Sequence, residues 1–368
     1  MDVKEIEAEV RERMNLAYSL RRVPKELLAY SITGLRPRAG DLVLCRVTKL
    51  GHHKNLQRPN RSRRRLFVGD FVVVAYANRY ASSQFEASVP KDLGPCHLVA
   101  GGGCAARVDN KHQRIRGATE LEPIGLLGAD KSGIALNVAH FALTVKEPCE
   151  PIGVPVIAVV GTAMDSGKTT TAAHVVRGGF LAGKNIAYAK VTGTGASGDP
   201  GLLMDAGAAS VLDFTDVGFA STYKVKPSEI IHAFQELIWA SAKPEIDAIV
   251  LEVADGVFQQ ETALLLNSPQ FKQMVDVVLL AGSDAMGLAF GVSWLARRDI
   301  RIGTLSGAVE AAPLQAREAE EATGLPVLGK SQLEDWDGIA RLVRDSDIDS
   351  FATSCNRQPR SQSRRRIA

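Results

Sequence analysis

The stretch Gly161-Thr-Ala-Met-Asp-Ser-Gly167-Lys168-Thr169 carries the clearest chemistry in the chain. The apolar run VPVIAVV precedes it and the helix-forming stretch TTTAAHVV overlaps its end. A buried-type strand feeding a glycine-bearing loop and then a helix turns backbone N–H groups inward, where they can hold phosphate oxygens. Gly167 lets the backbone approach an anion, Lys168 brings positive charge to the outer phosphates, and the Thr169 hydroxyl is a suitable Mg²⁺ ligand. The candidate nucleotide contacts are Gly161, Thr162, Asp165 and Ser166 in the loop, and Gly167, Lys168, Thr169 and Thr170 at its turn into the helix. The common pattern GxxxxGK(S/T) wants glycine at position 162, where this chain has Thr162. The run IVLEVADG supplies an acid, Glu252, at the end of a second apolar strand. Beside a phosphate loop, that is where a Mg²⁺ ligand or water-positioning group belongs.

The longer spacing of the loop resembles the branch of P-loop proteins that contains dethiobiotin synthetase, cobyrinic acid a,c-diamide synthase and the MinD/ParA ATPases. The dimer-forming ATPases of that branch add a lysine just after the first glycine. Thr162 stands there, which places the resemblance on the synthetase side. The likeness to dethiobiotin synthetase continues in AYAKVTGTG, where Lys190, Thr194 and Gly195 match a Lys-Pro-Val-x-(Ser/Thr)-Gly segment, with Val191 in place of proline. The resemblance implies that Lys190 contacts the reacting group and neighbouring phosphates. It also implies an acid further along that helps bind Mg²⁺, either Asp205 in GLLMDAG or Asp199. Glu252 and Gly256 match the family's second acidic strand end, while Asp255 is an acid with no counterpart there. Ser306 replaces the family's base-reading asparagine, and no Asn-Lys-x-Asp guanine motif is present, so ATP is the default nucleotide. The resemblance therefore implies Lys168, Lys190 and Glu252 as catalytic residues, and Thr169, Glu252 and Asp205 as Mg²⁺ ligands. It covers roughly residues 155–330, about half of the chain.

These residues need elements to hold them. Candidate strands 156–160, 186–191, 248–253, 275–281, 302–305 and 326–328 alternate with helical stretches 167–182, 228–241, 285–298, 313–323 and 332–344. Such alternation implies an α/β unit over 156–346 with a mostly parallel sheet and helices on both faces. Before it, VKEPCEPIGVP at 145–155 has the proline content of a linker. Residues 3–30 read as helical, with Ile6, Val10, Met14, Leu16, Ala17 and Leu20 near helical spacing. The runs LVLCRV, LFVGDFVVVAYANRY, CHLVAGGGCAARV and TELEPIGLL then predict a small barrel or sandwich. Residues 1–144 are thus expected to form a helix plus a β-barrel-like domain. The segment 52–65 carries Lys54, Arg58, Arg61, Arg63, Arg64 and Arg65 without an acid and reads as a mobile basic loop.

The chain has 368 residues, 45% hydrophobic and 23% charged, which excludes whole-chain disorder and a fibrous class. Net charge is +3 from 44 basic and 41 acidic residues. Five arginines of an acid-free tail, 355–368, account for the excess, since 39 − 41 leaves −2 without them. That tail, taken as 347–368, is expected to be disordered. The longest apolar run, Ala285–Ala296, is short of the roughly 18 residues needed to cross a bilayer, and no membrane partner is expected. The N-terminus, MDVKEIEAEVRERM, alternates acids and bases and does not read as a signal peptide. Five scattered cysteines fit a reducing cytoplasm better than a disulfide scaffold. Cys96, Cys104 and His112 are spaced too widely for the usual structural zinc pairs.

The expected function is a Mg-ATP-dependent enzyme that transfers a phosphoryl group or activates a carboxylate or carbamate of a small acceptor. The alternative is an ATPase switch or regulator whose N-terminal barrel binds nucleic acid or a protein through segment 52–65. The expected partners are nucleotide, a small-molecule acceptor and a second copy of the chain in a homodimer. Sparse aromatics near the basic segment, Phe67, Tyr76 and Tyr80, disfavour nucleic acid.

Overall fold

The computed structural model describes residues 1–145 and 152–344. Most of the proline-bearing linker and all of the arginine tail lie outside the described residues.

The first part holds β1 (Asp2–Glu5), α1 (Ala8–Arg13), β2 (Asn15–Leu16), β3 (Tyr30–Thr33), β4 (Leu42–Lys49), β5 (Asn55–Gln57), β6 (Arg63–Arg65), β7 (Phe71–Tyr76), β8 (Phe85–Ser88), β9 (Cys96–Ala100), β10 (Cys104–Lys111) and β11 (Thr119–Gly128). Nine of these strands form one sheet in which β11 pairs β4, β4 pairs β7, β7 pairs β10, β10 pairs β9, and β9 returns to β11.

Two expectations for this part are corrected. Residues 3–30 are not one helix: α1 spans six residues, and β1 leaves it to pair antiparallel with β3, Asp2 opposite Thr33. The apolar positions were informative, since Ile6, Met14, Ala17 and Leu20 are buried. Pairing with β3 and β7 overrode the local helical pattern, as tertiary context commonly does. The basic segment is not a free loop either. Its strands β5 and β6 form a hairpin with Asn55 opposite Arg65, and Leu56 and Leu66 anchor it in the core.

The second part is a six-stranded, wholly parallel sheet in the order β14 (Ser210–Asp213), β13 (Ile186–Lys190), β15 (Ala248–Glu252), β12 (Val156–Gly161), β16 (Val277–Ala281), β17 (Ile302–Ser306). Strand β12 is buried along its whole length, which explains why it reads as a continuous apolar run rather than an alternating one. The helices are α2 (Lys168–Leu181), α3 (Gly198–Asp205), α4 (Pro227–Ser241), α5 (Gln260–Leu266), α6 (Pro269–Met274), α7 (Ala285–Ala296), α8 (Pro313–Thr323), α9 (Lys330–Leu333) and α10 (Trp336–Arg344). Alternate sheet residues divide two cores. Ile157, Val159, Tyr188 and Val250 face α2, α3, α9 and α10. Ala158, Val160, Ala189 and Leu251 face α4 to α8. The mixed α/β class with a parallel sheet is therefore as expected. The run 326–328 contributes only a bridge, Leu305 with Val327, and the edge strand β14 was not foreseen.

Candidate functional site

The chemistry-bearing residues sit at the C-terminal ends of three adjacent parallel strands, where doubly wound sheets place their sites. Strand β12 ends at Gly161 and opens the loop. Register then sets Lys190 at the end of β13 directly beside Glu252 at the end of β15. The loop closes at Gly167, whose φ of 96° is left-handed. A Cβ there would also lie 2.8 Å from Gly307 Cα, so only glycine fits both the backbone and its neighbour. Helix α2 starts at the next residue, and its first N–H groups lack partners within the helix.

Lys168 is 6% exposed. Its ammonium donates to the Ala163 carbonyl at 2.7 Å and to Ser166 Oγ at 3.4 Å, both neutral acceptors. Burial pulls its pKa below the ordinary lysine value. Glu252, 1% exposed, is the hub of the site. Its Oε1 accepts from Thr169 Oγ1 at 3.2 Å and pairs with Lys190 Nζ at 2.8 Å, while its Oε2 accepts from the Tyr188 hydroxyl at 2.9 Å. Lys190 also pairs with Asp199 near the start of α3. Burial opposes its charge, but Glu252 and Asp199 outweigh burial and hold its pKa above the usual lysine value. Asp255 has a left-handed φ of 64° just past β15. Burial raises its pKa to about 6, against the opposing pull of Lys168 and Lys190.

These groups line a cleft of about 540 Å³ whose other wall comes from the first sheet: Arg79, Tyr80, Ala81 and Gln84. Ser82 Oγ and Ser83 Oγ lie 3.9 and 3.8 Å from Met164 Sδ at the tip of the loop. Gln57 of the basic hairpin accepts from the Ser197 N–H at 2.7 Å and steadies the start of α3.

Of the expected contacts, Asp165, Ser166, Gly167, Lys168, Thr169 and Thr170 line the cleft together with Lys190 and Glu252. Gly161 and Thr162 do not line it. They form the base of the loop, where Gly161 is paired within the sheet and the Thr162 N–H donates to Ala281 O. Asp205 is exposed at the far end of α3 and does not line the cleft, whereas the alternative acid, Asp199, does. Nearly two helical turns separate the two, enough to carry Asp205 away from the strand ends. Ser306 is buried, donating to Leu328 O at 3.0 Å and accepting from Thr171 Oγ1, so its hydroxyl is committed within the protein. Cys96 and Cys104 are buried free thiols. Sequence reasoning missed Arg79, Gln84 and Tyr188. Arg79 had one visible signal, a charge three residues past the apolar run FVVVAY.

The donor set fits a nucleotide with Mg²⁺. Thr169, Glu252 and Asp199 offer hard oxygen ligands, and Lys168 offers a buried positive charge with no carboxylate in salt-bridge contact among the described residues. Among the described residues no cluster of three His, Cys, Asp or Glu side chains could hold a metal. Mg²⁺ here would depend on one or two carboxylates plus phosphates, its usual manner of binding.

The strand, loop and helix, with the acidic strand end alongside, define a P-loop-like α/β unit. No family model matches the chain, and no curated protein matches it. Solved structures similar to it include a DUF1611 family protein from Anabaena variabilis, at 13% identity and TM-score 0.38 over 58% of this chain and 65% of that one. They also include the signal recognition particle receptor FtsY from Elizabethkingia anophelis, at 15% identity and TM-score 0.32 over 52% and 66%. The chain thus spans just under two thirds of the length of either structure. No helix among the described residues is long and apolar enough to cross a membrane.

Proposed function

We propose that this chain is a Mg-nucleotide-dependent enzyme of the dethiobiotin-synthetase-like P-loop class, with ATP as nucleotide, acting on a small anionic acceptor. The observation that carries the reading is the hydrogen-bonded set Thr169–Glu252–Lys190–Asp199 beside the buried Lys168, all within one cleft. Lys168 and the first N–H groups of α2 hold the phosphates. Thr169 and Glu252, with Asp199 replacing Asp205, hold the metal. Lys190 stays protonated between its two carboxylates and presents a fixed positive charge to the acceptor and the transferring group. The bound nucleotide supplies the phosphoryl group, and the walls of the cleft shield it from water. With Ser306 committed elsewhere, base choice falls to other contacts, so the test includes both purines.

Isothermal titration with non-hydrolysable ATP and GTP analogues, with and without Mg²⁺, checks the reading. Mg-dependent binding of one nucleotide is expected, weakened at least about tenfold by Lys168→Ala through loss of a charge-assisted contact. If Lys168→Ala leaves affinity unchanged, the phosphate assignment is wrong.

A further inference from the structure

We propose that Arg79, reaching the cleft from the first sheet, binds the terminal phosphate of the nucleotide and lets the chain distinguish a triphosphate from a diphosphate. This rests on the nucleotide reading of the same cleft.

Arg79 follows β7 and is 6% exposed. Its backbone is fixed in both directions by Ala87, with N–H to carbonyl distances of 2.9 and 3.0 Å. One guanidinium nitrogen meets His53 Nε2 at 3.1 Å and the other donates to Gln84 Oε1 at 2.7 Å. Both partners are neutral. Burial, reinforced by the charge of Arg79, holds the His53 pKa at about 3, so the imidazole is neutral and its Nε2 accepts from Arg79. The buried Nε has no partner, and no carboxylate is paired with Arg79 among the described residues. A guanidinium has five N–H groups; with two engaged and the Nε–H buried, one on each terminal nitrogen is left over.

Burying a cation without a counter-ion is costly. The buried Arg21 avoids that cost by pairing with Asp213 and Asp216. Arg79 instead has neutral hydrogen-bond acceptors that orient its charge, and Asp255 across the cleft attracts it without an ion-pair contact. Its pKa falls to about 10 from burial, so it is still charged at neutral pH. An oriented guanidinium with no carboxylate in ion-pair contact and with free N–H groups suits bidentate contact with a phosphate. Its position selects the outermost one. Arg79 shares the cleft with Lys168, and the residues just after it pack on the loop tip through Met164.

The test is titration of the full chain with a non-hydrolysable Mg-triphosphate analogue and with the Mg-diphosphate, adenine and guanine forms of each. Arg79→Ala should weaken the triphosphate at least about tenfold and the diphosphate less than about twofold, with Arg79→Lys recovering part of the difference. Equal losses for both ligands would show a merely structural arginine, and no loss for either would also overturn the proposal while leaving the nucleotide reading intact. Failure of the wild type to bind any of the four would remove the nucleotide reading and this inference together. Hydrogen exchange on the wild type covers the case in which Arg79→Ala does not fold. Residues 79–87 should exchange more slowly with triphosphate than with diphosphate, and identical exchange refutes the contact.

Discussion

Asp255 lies in a cleft that also holds Lys168 and Lys190, yet burial outweighs their attraction and raises its pKa to about 6. The ordinary carboxyl value is 3.8. A folded value above the unfolded one means that the fold favours the proton. Stability from that proton is fully present below about pH 4 and is lost as pH rises through about 6. Asparagine tolerates the left-handed backbone of this position, so Asp255→Asn removes the ionisation without straining the turn. Urea unfolding should show the variant equal to the wild type at pH 4 and more stable at pH 8 by about 1–3 kcal/mol. Equal stability at pH 8 would place Asp255 in a more solvated setting. A residue kept at such a cost is what a functional cleft contains, because activity and stability compete there. Lys190 and Glu252 show the opposite arrangement. Each stabilises the other's buried charge; without Glu252, Lys190 keeps only Asp199, and without Lys190, Glu252 keeps only the hydroxyls of Thr169 and Tyr188.

At the scale of elements, the turn between β9 and β10 controls how closely the two parts approach. Gly102 sits so near the segment after β13 that a Cβ would lie 1.9 Å from the Gly195 carbonyl oxygen. The Cβ position is fixed by the backbone and the oxygen is a backbone atom, so neither can rotate away. Gly102→Ala should separate the turn from residues 193–196, three of which line the cleft, at a stability cost of about 1–3 kcal/mol. Thermal melting and nucleotide titration of the variant measure both effects, and an unchanged melt would mean the turn yields freely. The triple glycine at 101–103 was visible in the sequence, but its contact, across almost a hundred residues, was not. The same division holds elsewhere. The apolar runs of β12, β15 and β16 could be read because burial on both faces leaves a continuous signature. Edge strand β14, only partly buried, leaves none. Lys168 and Thr169 could be placed together because local geometry dictates their spacing on one loop, and Glu252 could be placed at a strand end because an apolar run leads into it. Asp205 lies off the cleft because α3 carries it away from the strand ends, and Arg79 was missed because only the fold brings it to the loop.

At the scale of the whole molecule, one buried cluster joins the first sheet to the edge of the second. Arg21 pairs with Asp213 at 3.1 Å and also with Asp216 and Thr215, while the Tyr18 hydroxyl donates to Asp213 Oδ2 at 2.8 Å. The guanidinium packs over the Tyr18 ring, 4.5 Å from its centre. Asp213 ends β14 in register with Lys190, so the cluster holds the strand next to Lys190 against the part that carries Arg79. Arg21→Ala would leave two buried carboxylates facing each other. Burial already raises the Asp216 pKa and Arg21 opposes it, so losing Arg21 moves that pKa further up. A carboxylate with a raised folded pKa contributes stability at low pH that disappears as pH rises through that value. The deficit of Arg21→Ala should therefore be about 3–5 kcal/mol at pH 8 and clearly smaller at pH 5. Urea unfolding at the two pH values decides it, and a deficit independent of pH would show that packing on Tyr18, not charge, is what Arg21 supplies. The same variant should lose nucleotide affinity at pH 8 although every residue of the loop is intact, because the wall bearing Arg79 is positioned by contacts this cluster maintains.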